Sequence, residues 1–187
     1  LLTELQQADC TPQQVRTLAE QLAAKDPASA TTRKWQDIAK IFAGYAAFFE
    51  TASADLHNAE AQLTLARRDI AKAAFLKGAR IWVDGFSGFT VQERELLIEL
   101  ARHAETMHIA LCLDPATLDL ENADPDALDP AGLFYCTEQT YAELLGIFRK
   151  CKFSILPPRV LDQPHRYARA SALGHIEAHL LDEHAPT

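Results

Sequence analysis

Residues 80 to 113 limit the possible fold more than any other stretch. Arg80-Ile-Trp-Val-Asp84 reads as a short apolar strand that ends on a carboxylate and runs into a glycine turn, Gly85-Phe86-Ser87-Gly88. Thr90-Val-Gln-Glu93 then has the form of a capping box, in which a threonine and a Glu three residues on satisfy each other's backbone N–H groups at a helix start. The helix it opens turns Leu96, Leu97, Leu100 and Ala104 inward, and His108 to Leu113 follows as a second apolar strand. A crossover of this length joins parallel neighbours with right-handed sense. The expected class is α/β, with a parallel sheet flanked by helices.

The end of the first strand is also chemically informative. Nucleotide hydrolases of the P-loop class place there the acid that holds Mg²⁺ through its water shell, and Asp84 matches it. In the helicase version of this strand a glutamate follows and activates the attacking water. Here Gly85 follows, with no side chain to orient water or take a proton. Asp84 is therefore the candidate for a degenerate cofactor-binding acid, and no catalytic residue is assigned. No Gly-Lys-Ser or Gly-Lys-Thr phosphate loop occurs in the chain. An alternative is an active nucleotide hydrolase in which Asp84 works with Glu93 or Glu95, but both lie on the following helix, where a one-turn offset points them away from the strand end. A third reading is a protein-interaction module, which a broad apolar patch would mark.

Before the first strand the chain reads as helical. Thr11-Pro12-Gln13-Gln14 supplies an N-cap, a proline at the first helical position and a capping-box Gln, with Val15, Leu18, Ala19 and Leu22 on one face and Pro27 as the stop. A longer helix after Thr31 or Thr32 carries Trp35, Ile38, Ile41, Phe42, Tyr45, Phe48 and Phe49, a stripe wide enough for two neighbours and spaced as core rather than as a base-stacking platform. A third helix is expected from Ser53 or Asp55 to Lys77, presenting Leu56, Ala59, Leu63, Ala66 and Ile70. Beyond the second strand, Asp114 to Asp129 holds Asp119, Glu121, Asp124 and Asp126 without a Lys or Arg and reads as a solvated acidic loop; EF-hand spacing and its terminal Glu are missing. A helix capped by Thr137 then turns Tyr141, Leu144, Leu145 and Phe148 inward, and Phe153 to Leu156 is expected as a strand ended by Pro157-Pro158. The last helix starts at Ser171 with Leu173, Ile176, Leu180 and Leu181 inward. His175 and His179 are four apart, but Glu177 is not adjacent to the first histidine as a zinc protease requires, so no metal site is assigned.

A net charge of −8 argues against a broad phosphate-gripping face. Any nucleic-acid contact would be local, and Arg67-Arg68 is the best candidate pair for DNA. Cys10, Cys112, Cys136 and Cys151 form no Cys-x-x-Cys pair and read as reduced structural thiols. No apolar run approaches a membrane span, and Leu1 to Cys10 lack a signal-peptide layout, so the expectation is cytoplasmic. The start at Leu1 and the single methionine, Met107, suggest a fragment of a larger protein.

Three phrases together resemble the AddB family, the second subunit of the bacterial AddAB helicase-nuclease: Lys77 to Thr90, Leu133-Phe-Tyr-Cys-Thr-Glu138 with Tyr141, and Ala172-Leu-Gly-His-Ile-Glu-Ala-His-Leu180. The resemblance covers nearly the whole chain. It implies residues 1–77 as a helical insertion of a helicase-like domain, 78–160 as a segment of a RecA-like core, and 161–187 as linker and C-terminal helix. It further implies a parent with an inactivated UvrD-type half and a nuclease domain with an iron-sulfur cluster, using Mg²⁺ and ATP and acting on DNA double-strand ends, where an AddA-like helicase-nuclease partner supplies the motor. The phosphate loop would precede Leu1 and the cluster cysteines would follow Thr187, so the fragment itself would hold no cofactor and would act as a scaffold or guide for single-stranded DNA.

Overall fold

The computed structural model describes residues 1–51, 59–161 and 171–179. Four helices come first: α1 (Leu2–Gln7), α2 (Pro12–Lys25), α3 (Ala30–Thr51) and α4 (Ala59–Asp69). Strand β1 (Arg80–Val83), helix α5 (Val91–His103) and strand β2 (Thr106–Ile109) follow, then α6 (Tyr135–Lys150) and α7 (Ser171–His179). The chain is thus α/β and mostly helical, with a two-stranded parallel sheet among the described residues.

Helix α2 opens on the expected capping box, with Gln14 N–H donating to Thr11 Oγ1 at 3.2 Å and Thr11 N–H to Gln14 Oε1 at 2.7 Å. Helix α3 begins at Ala30, just ahead of the threonines expected to cap it. Thr32 is instead buried, and its hydroxyl donates to the Asp26 carbonyl at 2.7 Å, closing the turn between the two helices. The hairpin they form packs Val15 and Ala19 against Ile38, Ala39 and Phe42, flanked by Leu2, Leu5, Cys10, Trp35 and Tyr45. Ile41 and Phe48 remain exposed, so the aromatic stripe is only partly covered.

The start of the third expected helix lies outside the described residues. Its end differs from expectation: α4 stops at Asp69, and two 3₁₀ turns, Ile70–Lys72 and Ala74–Leu76, carry the chain to β1 with Ile70 and Leu76 buried. Leu63 is half-buried and Ile70 buried as expected, whereas Ala66 is exposed and Arg67 half-buried. Gly78 at φ +77° makes the turn into the strand, a conformation costly for any side chain.

Strands β1 and β2 pair in parallel with Arg80 opposite Thr106 and Trp82 opposite His108. The second strand starts earlier and ends sooner than His108 to Leu113. Ala110 N–H makes the last bond to its neighbour, at 2.9 Å to the Val83 carbonyl, and beyond it Asp84 and Gly85 turn away. The rest of the apolar run therefore has no strand beside it. In α5 the buried side chains are Gln92, Leu97 and Ile98, while Leu96 and Leu100 are half-buried.

Helix α6 begins at Tyr135 rather than after Thr137, with Phe134 as its N-cap residue; the Thr137 hydroxyl donates back to the Phe134 carbonyl at 2.9 Å. It ends in a Schellman turn. Lys152 takes φ +60°, Phe153 N–H donates to the Phe148 carbonyl at 3.0 Å, Lys152 N–H donates to that of Arg149 at 2.9 Å, and the two phenylalanine rings meet edge to face at 5.4 Å. Phe153 is thus committed to the helix end, and no strand forms over Phe153 to Leu156. Helix α7 covers all of the described residues 171–179, and Leu173 and Ile176, expected inward, are exposed; Leu180 and Leu181 lie outside the described residues.

Candidate functional site

In parallel α/β sheets the carboxyl ends of the strands form the usual ligand crevice. Here that end is the loop Asp84 to Phe89. Asp84 is exposed, and its Oδ1 accepts the N–H of Gly85 at 2.8 Å, which folds the carboxylate onto its own turn. Gly85 has φ +84°, with open space where a Cβ would project. Phe86 and Phe89 stack at 5.1 Å and 26°.

The carboxylates considered as helpers to Asp84 lie on α5. Glu93 Oε2 accepts the Thr90 N–H at 2.7 Å while Thr90 Oγ1 accepts the Glu93 N–H at 3.2 Å, so Glu93 is engaged in the helix cap. Glu95 lines a shallow groove between α5 and α6 with Val91, Arg94, Glu143 and Lys150. Among the described residues no group of three or more His, Cys, Asp or Glu side chains is placed to hold a metal ion. The rings of His175 and His179 lie 4.6 Å apart on α7.

The adjacent arginines differ in environment. Arg67 is 27% exposed and pairs with Asp9 at 2.6 Å, tying α4 to the αL residue that ends α1; the hydrogen bond with Asp9 raises the guanidinium above its ordinary value. Arg68 is 70% exposed and lies 3.8 Å from Asp69. Lys72 holds that carboxylate more closely, at 2.7 Å, and its hydrogen bond keeps Asp69 below the usual carboxylate range.

Sequence reasoning missed the way α6 organises the loops at this end of the sheet. The Thr140 hydroxyl, 2.9 Å from both the Ser87 and Cys136 carbonyls, pins the strand-end loop to the first turns of α6. Glu138, only 7% exposed, accepts from the Thr117 hydroxyl at 2.7 Å. Tyr141 donates to the Leu120 carbonyl at 2.6 Å, and burial raises its phenol above its ordinary value. Arg149 donates to the Glu121 carbonyl. Glu138, Tyr141 and Arg149 of α6 therefore act as a clamp on residues 117 to 121.

The acidic segment is built as much as it is solvated. Asp114, Asp119, Asp124 and Asp129 recur every five residues, and each Oδ1 accepts the N–H two residues on, from Ala116, Glu121, Asp126 and Ala131, at 2.9 to 3.0 Å. These are Asx turns, in which a carboxylate substitutes for a backbone acceptor. The five-residue repeat was the available signal.

Taken together, strand, crossover helix and parallel strand define a mostly helical α/β protein with an exposed carboxylate, Asp84, at the strand end. The family follows from comparison. A family model described as ADDB, N-terminal, matches residues 1–177, and the chain belongs to that family. It is similar to the B subunit of the ATP-dependent helicase/deoxyribonuclease of Symbiobacterium thermophilum, 34% identical over 124 residues that make up 66% of this chain and 10% of that protein. The B subunit of the same name from Acetivibrio thermocellus is 25% identical over 182 residues, 96% of this chain and 15% of the relative. That of Moorella thermoacetica is 37% identical over 123 residues, 63% and 10% of the two chains. The chain thus spans 15% or less of the length of these relatives.

Proposed function

We propose that this chain is a non-catalytic, helicase-like part of the B subunit of a helicase-nuclease that repairs DNA double-strand breaks in the cytoplasm. The observation that carries the reading is Asp84: a strand-end acid followed by a glycine at φ +84°, with its own Oδ1 bound to that glycine and Glu93 engaged in the neighbouring cap. Such a site can approach a hydrated Mg²⁺ ion through one carboxylate, but it lacks the general base that hydrolysis needs. Residues 78–160 are read as a segment of a RecA-like core and residues 1–77 as a helical insertion within it. ATP, Mg²⁺ and the iron-sulfur cluster implied by the family would be held by parts of the protein outside these 187 residues.

The partner is an AddA-like helicase-nuclease that supplies the motor, while this part scaffolds the complex and guides single-stranded DNA. Arg68 is the stronger of the two arginine candidates for a phosphate, because Arg67 is already committed to Asp9. Reconstitution of the full-length protein with its partner tests the reading. Asp84→Ala should leave ATP-driven unwinding at the wild-type rate, since removal of an acid that does no chemistry changes no transition state. Loss of unwinding in a variant that still assembles would contradict it.

A further inference from the structure

The loop that joins β1 to α5 is held lightly. Its ends are fixed, one by the sheet bond from Ala110 N–H to the Val83 carbonyl at 2.9 Å and the other by the Thr90–Glu93 cap of α5. Between them residues 84–88 are exposed, and among the described residues the loop makes one hydrogen bond beyond itself, from the Thr140 hydroxyl to the Ser87 carbonyl at 2.9 Å. Gly88 lies against the same hydroxyl, which is 3.5 Å from where a Cβ would stand. That hydroxyl has a single proton and a second acceptor at 2.9 Å, the Cys136 carbonyl of its own helix turn. If the loop leaves, Thr140 keeps a partner and the Ser87 carbonyl meets water, so neither group is stranded. Residues 117 to 121 are held differently. The Glu138 carboxylate, 7% exposed, would lose the Thr117 hydroxyl and be left buried, which costs more than an exchange of partners.

We propose that the strand-end loop, Asp84 to Phe89, is a flap hinged at Gly85 and latched by Thr140, which opens while α6 and residues 117 to 121 stay in place. Gly85 suits a hinge because glycine passes between φ +84° and negative φ without a Cβ to hinder it, and nothing lies within 4 Å of the position a Cβ would take. Rotation there breaks the 2.8 Å bond from Gly85 N–H to Asp84 Oδ1, so the open flap frees the carboxylate from its own turn. The stacked rings of Phe86 and Phe89, 5.1 Å apart, belong to the flap. Thr140 is thus a positioning residue that sets the state of the strand-end acid through the Ser87 carbonyl.

Limited chymotrypsin digestion of the full-length protein tests the latch, with the new N-termini at Ser87 and Thr90 quantified by mass spectrometry. No nucleotide is added, so the outcome is separate from that of the unwinding assay. Cleavage under native conditions follows the open population, and one net hydrogen bond is worth about fivefold in it. Thr140→Val should therefore speed cleavage after Phe86 and Phe89 about fivefold and leave cleavage after Tyr135 and Tyr141 unchanged. Thr140→Ser, which keeps the hydroxyl, should be cut at the wild-type rate. So should the flap of Tyr141→Phe, which loses only the bond to the Leu120 carbonyl. Unchanged flap cleavage in Thr140→Val would overturn the proposal, as would equal acceleration in Thr140→Ser, because the hydroxyl would then not be the latch. Equal acceleration within α6, or a faster flap in Tyr141→Phe, would also overturn it, because the loop would then move only with the helix and its clamp.

Discussion

Gly85 decides most at the level of single residues. Its φ of +84° lies where a Cβ costs roughly 1–2 kcal/mol, although no atom stands within 4 Å of the position a Cβ would take. Gly85→Glu, which restores the helicase-type pair of acids in sequence, should therefore lower stability by about that amount through backbone strain alone. Urea denaturation checks this, and Gly85→Asn should lose less because asparagine tolerates the left-handed region. An unchanged midpoint for Gly85→Glu would mean that the turn can relax. Lys152 presents the opposite case, a lysine at φ +60° in the Schellman position where glycine is favoured. Lys152→Gly should stabilise the protein by about 1 kcal/mol, read as an upward shift in Tm. The strand that runs into Asp84 and the turn at Gly85 were legible in the sequence itself. The commitment of Arg67 to Asp9 was not, because the partners are 58 residues apart and Asp9 depends on the left-handed end of α1 to point its carboxylate.

Among the elements, those with local signals were readable and those that depend on neighbours were not. Both capping boxes were visible as Thr11 with Gln14 and Thr90 with Glu93, and both form. Thr90→Ala should cost about 1 kcal/mol, measurable by thermal melting, since it frees the Glu93 N–H at a helix start. The expected strand at Phe153 does not form, because its first residue closes α6, and β2 is cut short where β1 turns away. The acidic loop was legible as a loop but not as a ladder of Asx turns. Hydrogen bonds from the Asn122 backbone, then its side chain, and from the Glu121 N–H hold the Asp119 carboxyl below its ordinary 3.8. Its folded pKa is depressed, so its contribution to stability is present above 3.8 and is lost as pH falls through the lower folded value. Amide protection at Glu121 and Asn122 should fall in that acid window, whereas Asp119→Asn, which can keep the turn without titrating, should hold it. Equal loss in both proteins would show that Asp119 is not the titrating group.

For the whole molecule, charge and topology set the limits on function. The strand–helix–strand unit and its parallel pairing were legible because a long crossover leaves few alternatives, while the packing of α1 and α4 against α5 rests on contacts such as Gln92 to Thr64 that no local pattern reveals. A net charge of −8 opposes the phosphate backbone, so the isolated chain should bind a labelled single strand with a Kd of about 10⁻⁴ M or weaker at physiological salt. Sub-micromolar affinity with a steep salt slope in fluorescence anisotropy would reveal a basic path. The central claim is that a strand-end acid without a neighbouring base does not make a motor. Steady-state ATP hydrolysis by the chain, measured beside Asp84→Ala with Mg²⁺ present, tests it most directly: the two proteins should give the same background rate, and turnover that Asp84→Ala abolishes would contradict it.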